Sequence, residues 1–146
     1  MRTVGTFRGR LPAFAEVRAW AEAFGAAVGA ERSAILRLVL VLEELFTNTV
    51  MHGYGAGADG PVWVMLASRD GGIEVTYEDA APPFDPLIEG PSPGVDQPGR
   101  DQAPPGGLGL ALVRGLTASA RYARVDGRNR VTLTVPSEDP PSPRSG

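Results

Sequence analysis

Glu44, Asn48 and His52 recur at every fourth residue within EELFTNTVMHGY (43–54). On an α-helix this spacing drifts by only about 40° per step, so the three side chains form one polar row. A carboxylate can orient or deprotonate an attacking hydroxyl. An amide oxygen one turn later can ligate Mg²⁺, a hard cation that takes oxygen ligands and keeps several waters. Together they would suit a triphosphate. A solvated helix face with weak i,i+4 interactions has the same spacing, and spacing alone leaves both readings open. Asn and His are poor helix formers, so helix propensity does not select them here.

Two further stretches could do chemistry. GGLGL (106–110) follows a proline-rich segment and opens a helix-like run. Free N–H groups at a helix start attract phosphate, and glycines permit close backbone approach. A dinucleotide-fold G-x-G-x-x-G does not fit, because no strand precedes the stretch and Leu112 holds the third glycine position. Asp79 closes the strand-like IEVTYED. It can be a turn residue, or it can accept a hydrogen bond from an exocyclic amine such as adenine offers.

The elements that must position these residues follow from periodicity. Residues 2–9 alternate loosely and suit an edge strand. A helix is expected over 13–28, stopped by Gly29, and a second from about Ser33 to Met51, ending at Gly53. On the second helix Ile35, Leu38, Val39, Leu42, Leu45, Phe46 and Thr49 share one direction, while Leu36, Leu40 and Met51 lie off it. Much of its circumference should therefore be covered, with the polar row partly enclosed. Residues 61–68 and 73–78 read as a β-hairpin about Arg69–Gly72, and 119–125 and 129–135 as another about Asp126-Gly127. Between them, residues 80–105 hold eight of the fourteen prolines and little periodicity, then 106–116 read as a helix. Helices segregated from hairpin-linked strands imply an α+β fold, a two-layer α/β sandwich with helices on one face of a mixed, mostly antiparallel sheet.

Composition removes several classes of function. The chain has 146 residues, a formal net charge of −3 and no cysteine, so thiolate chemistry and disulfides are excluded. All fourteen basic residues are arginine. Without lysine there is no P-loop lysine, no eukaryotic-type kinase lysine and no Schiff base. A single histidine excludes His-rich zinc sites. The acidic balance does not suit direct nucleic-acid binding. No stretch is long enough to span a membrane, and MRTVGTFRGR lacks a signal-peptide core, so a cytoplasmic protein is expected.

Taken in order, EELFTN with the following HGY, YEDAAPPFDP, GGLGLALVRGL and the closing YARVDGRNRVTLTV resemble the GHKL superfamily of histidine-kinase-like ATPases. Within it the chain is most similar to the single-domain anti-sigma-factor serine/threonine kinases of bacteria. The likeness covers roughly residues 5–135. It implies ATP and Mg²⁺ as cofactors, with Glu44 orienting or activating the nucleophile and Asn48 holding the metal. It implies that Asp79 binds the adenine amino group, and that Gly107 and Gly109, with the Leu108 and Leu110 amides, receive phosphates. Residues 80–105 would be the ATP lid, from which Arg100 could reach a phosphate, within a single domain over 1–136 and ahead of a disordered tail over 137–146. His52 would lie on the phosphate side or cap the helix end. Implied partners are a sigma factor, a STAS-type antagonist that is phosphorylated on Ser/Thr, and a second copy of the chain. Two departures stand out. Ala81 occupies the first glycine position of D-x-G-x-G and Pro83 the second. If the backbone there needs positive φ, alanine is strained, which motivates an alternative reading as an inactive binding module. Asn129 stands where many relatives have threonine near the adenine, and can still hydrogen-bond there. A detached histidine-kinase ATPase domain is the other alternative.

Overall fold

The computed structural model describes residues 1–55, 59–87 and 115–137. Strand β1 (Arg2–Arg8) leads through a 3₁₀ turn (Leu11–Ala13) into α1 (Phe14–Ala27), then α2 (Arg32–Asn48). A π-helical turn (Thr49–Tyr54) extends α2 and carries the chain toward β2 (Pro61–Arg69) and β3 (Gly72–Asp79). Strands β4 (Ser119–Val125) and β5 (Arg128–Pro136) complete a five-stranded sheet of order β1-β2-β3-β5-β4. Every pairing is antiparallel, and β1 is an edge strand.

The two hairpins turn where expected. Asp126 (φ 49°) and Gly127 (φ 78°) supply the two left-handed residues that a type I′ turn requires, a conformation aspartate tolerates better than most side chains. Strict alternation then sets the faces: Val75, Tyr77 and Asp79 of β3 point inward, as do Asn129, Val131 and Leu133 of β5. The register pairs Asp79 with Asn129, which brings the two inward polar residues side by side.

Both helices cover this inner face. Leu38, Leu42, Leu45 and Phe46 of α2 and Val17 and Phe24 of α1 bury their side chains against Val64, Val75 and Leu133. Phe46 meets Phe14 with ring centroids 5.6 Å apart. Gly25 permits the close approach of α1 to α2, because a Cβ there would fall 2.6 Å from Ile35 Cγ1. Arg37 lies within this layer, yet its Nη2 donates to the Pro136 carbonyl at 2.8 Å and ties α2 to the end of β5. Coverage of α2 is less complete than its apolar residues imply, since Leu36 and Met51 remain exposed. On the outer face, Glu78 accepts from Arg128 and Arg130, and the Arg128 guanidinium lies 3.4 Å above the Trp63 ring. Among the described residues no helix is long and apolar enough to cross a membrane.

Candidate functional site

A small cleft opens where the π-helical turn, the inner ends of β3 and β5, and the segment after Asp79 converge. Asn48, Thr49, Gly53, Asp79, Phe84 and Asn129 are among its lining residues. The wall on the α2 side is α-helical only as far as Asn48. The i→i+5 pattern over Thr49–Tyr54 widens the last turns, as π-turns often do beside functional sites. Gly55, at φ 85°, ends it, two residues beyond the expected stop at Gly53.

Asp79 is the centre of the site's hydrogen bonding and is only 7 % exposed. Its Oδ2 accepts from the Thr49 hydroxyl at 2.8 Å. Its Oδ1 accepts from Asn129 Nδ2 at 2.8 Å and from the Ala81 amide at 3.1 Å. The Tyr77 and Thr49 oxygens lie 2.7 Å apart. A threonine hydroxyl has one proton. Given to Asp79, it leaves Tyr77 to donate to Thr49, forming a relay from Tyr77 through Thr49 to the carboxylate. Burial pushes the Tyr77 phenol well above its ordinary range, which keeps it a neutral donor.

Tyr54 fastens this region from beneath. Its hydroxyl donates to the Pro61 carbonyl at 2.6 Å and accepts from the Ala80 amide at 2.7 Å. Its ring occupies the space beside Gly60, where an added Cβ would lie 2.4 Å from ring carbons. Tyr54 thus joins the end of the π-turn to the start of β2 and to the residue after Asp79. Tyr54→Phe keeps the ring but removes the hydrogen bonds to the Pro61 carbonyl and the Ala80 amide. The variant should lose about 1–2 kcal/mol of stability, read as a lowered urea midpoint.

Ala81 resolves differently from its expectation. Asp126 is the one non-glycine residue with positive φ among the described residues, so alanine at 81 carries no left-handed strain. Its methyl is buried and faces Gly53, where a second Cβ would come within 3.1 Å. Ala81 is accommodated by a glycine on the opposite wall, and the backbone ground for an inactive module falls away.

The polar row of α2 is brought only partly to this cleft. Asn48 lines it and is half-buried. Glu44, one turn earlier, is not among the lining residues. Its Oε2 is buried and has no hydrogen-bond partner among the described residues. Burial, followed by the neighbouring Glu43 carboxylate, raises the Glu44 pKa above 4.5. His52 is exposed and stacks on Phe84, with ring centroids 6.5 Å apart and planes 23° from parallel. Gly107, Leu108, Gly109, Leu110 and Arg100 lie outside the described residues.

Sequence reasoning missed Thr49, Tyr77 and Tyr54 as parts of the site. Thr49 had been grouped with the apolar face of α2, and its hydroxyl finds Asp79 there because β3 delivers a carboxylate to that face. The available signal was strand parity, since Tyr77 shares the inward face with Asp79.

A five-stranded antiparallel sheet under two helices, with an aspartate at the end of its central strand and an asparagine on the facing helix, defines a class. The chain belongs to the histidine kinase-like ATPase domain family, which matches residues 7–135. It is 33% identical over 104 residues to the serine/threonine-protein kinase BtrW of Bordetella bronchiseptica, covering 70% of this chain and 72% of that protein. Among solved structures it is similar to the RsbU and RsbW domains of Rv1364c from Mycobacterium tuberculosis, with a TM-score of 0.64 and 25% identity. That likeness covers 93% of this chain but only 32% of the mycobacterial one.

Proposed function

We propose that this chain is an ATP-dependent protein serine/threonine kinase and anti-sigma regulatory factor. It would phosphorylate a STAS-type antagonist and sequester a sigma factor, acting as a cytoplasmic homodimer through one domain over residues 1–136. The observation that carries the reading is the Asp79 carboxylate, held by Thr49 and Asn129 at the wall of a cleft that Asn48 also lines. The likeness to a serine/threonine-protein kinase supports the class of acceptor.

Asp79 accepts a hydrogen bond from the adenine amino group through the lone pairs its internal donors leave free. The Asn48 amide lines the cleft and is half-buried, and its oxygen suits it to hold Mg²⁺. The metal would supply charge neutralisation on the phosphates. Glu44, with an unpartnered oxygen and a basicity raised by burial, orients the acceptor serine hydroxyl and takes its proton as the oxygen attacks the γ-phosphorus, while the bond to the β,γ-bridging oxygen breaks and ADP leaves. Backbone amides at Gly107–Leu110, which lie outside the described residues, would receive phosphate.

Calorimetric titration with Mg-ATP tests the site. Asp79→Asn keeps the side-chain shape but turns one acceptor oxygen into a donor. Its ATP affinity should fall about 10- to 150-fold, the equivalent of a charge-assisted hydrogen bond. An Asp79→Asn protein that binds ATP as tightly as wild type overturns the assignment. Transfer of the γ-phosphate to a serine of a STAS-domain protein then tests the activity.

A further inference from the structure

We propose that Asn129 is a positioning residue rather than a ligand of the base. With Arg124 of edge strand β4, it fixes the orientation of the Asp79 carboxylate and holds the turn after it in place before nucleotide arrives. The inference rests on the nucleotide reading above and identifies what sets the selectivity of that site.

Every polar atom of the Asn129 side chain is committed within the protein. Nδ2 donates to Asp79 Oδ1 at 2.8 Å, to the Pro82 carbonyl at 3.0 Å and to the Ala81 carbonyl at 3.3 Å. Oδ1 accepts from the Phe84 amide at 3.1 Å, from the Tyr122 hydroxyl at 2.5 Å and from Arg124 Nη1 at 3.2 Å. An amide has two N–H protons and two carbonyl lone pairs, so nothing remains for a bound base. The residue is 5% exposed, so solvent does not compete for these bonds.

Arg124 braces the same turn from outside. Its Nη1 also donates to the Ala81 carbonyl at 2.7 Å, while the side chain stays on an exposed position of β4. Two residues thus satisfy the backbone of the segment where the chain leaves β3, a job that a sheet ladder no longer does there.

The consequence for recognition follows from counting donors. Asp79 receives three: the Thr49 hydroxyl, the Ala81 amide and the Asn129 amide. Spread over both oxygens, the three donors hold the carboxylate in one orientation. Such a group welcomes an amino substituent on the base and meets an oxo substituent with lone pair against lone pair. A site built around a committed hydrogen-bonding group discriminates strongly against the wrong partner. Without Asn129 the carboxylate can turn away, and it then neither favours the amino group nor repels the oxo group.

The test compares Mg-ATP with Mg-ITP, which differ at that substituent, and adds amide hydrogen exchange on nucleotide-free protein. Wild type should prefer ATP by at least about tenfold, and Asn129→Ala should bring the two affinities within about threefold, chiefly by weakening ATP. Exchange at the Ala81 and Phe84 amides should speed up about tenfold or more in Asn129→Ala. A merely structural role would lower the melting temperature and both affinities together and leave the ATP:ITP ratio unchanged; that result overturns the proposal. Should Asn129→Ala fail to fold, Arg124→Ala, at an exposed position, carries the test. It should narrow the ratio by about threefold, and an unchanged ratio counts against the proposal. Failure of the underlying reading looks different, because wild type would then bind neither nucleotide.

Discussion

Glu44→Gln is expected to slow phosphoryl transfer by about 10²- to 10⁴-fold while Mg-ATP binding stays within about threefold of wild type. Glutamine fits the same space but cannot accept the serine proton. The same substitution should stabilise the fold at neutral pH. Burial and Glu43 raise the Glu44 pKa above 4.5, so the folded protein binds this proton more tightly than the unfolded chain does. Wild-type stability therefore falls as pH rises from the ordinary glutamate range through the raised value. Glutamine escapes that loss. The melting temperature of Glu44→Gln should exceed wild type at pH 7–8, and the gap should close as pH drops below about 4.5. Activity and stability would move in opposite directions, as expected for a strained functional residue. Wild-type rates of transfer from Glu44→Gln would remove Glu44 from the mechanism.

Phe46→Ala should cost about 3–5 kcal/mol, measured by urea unfolding. The ring is 1% exposed and wedged between Phe14 of α1 and the sheet, in the stretch of α2 that carries Glu44 and Asn48. Little can collapse into the space it leaves, since Leu42 and Leu45 are already packed beside it. A loss below about 1 kcal/mol would mean that the α1–α2 layer is far more plastic than its geometry implies. The two substitutions separate α2's roles, because one abolishes chemistry on a sound scaffold and the other undermines the scaffold itself.

Much of this could be read from the chain. The period of 3.6 through Leu38, Leu42, Leu45 and Phe46 identified α2, and alternation in IEVTYED identified β3 with Asp79 at its end. Local patterns report which face of an element is buried. They do not report which strands become neighbours, so the β1-β2-β3-β5-β4 order had no sequence signature. The π-turn was also hidden. Extrapolating α-helical spacing from Glu44 to His52 assumes 3.6 residues per turn throughout, but the wider turn begins at Thr49, and His52 stacks on Phe84 at the surface. The burden on Asn129 was illegible for a related reason. Its partners come from β3, β4 and the segment after Asp79, and only the folded register gathers them. The strain suspected at Ala81 was a backbone angle, which residue type alone does not fix.

The pairing of β3 with β5 joins Gly72 to Pro136 and Asp79 to Asn129, so it closes a chain loop that includes residues 80–118. Closing a chain loop costs entropy that grows only logarithmically, about 0.6 kcal/mol for each doubling of length. Descendants of this sequence can therefore lengthen or shorten that connection, and exchange the motifs it carries, with little thermodynamic penalty to the sheet. The burden falls on kinetics instead. A central strand that must wait for a partner some sixty residues away ties folding to a non-local search. Variants that differ only in the length of the 80–118 connection should share nearly one unfolding free energy while refolding at distinctly different speeds.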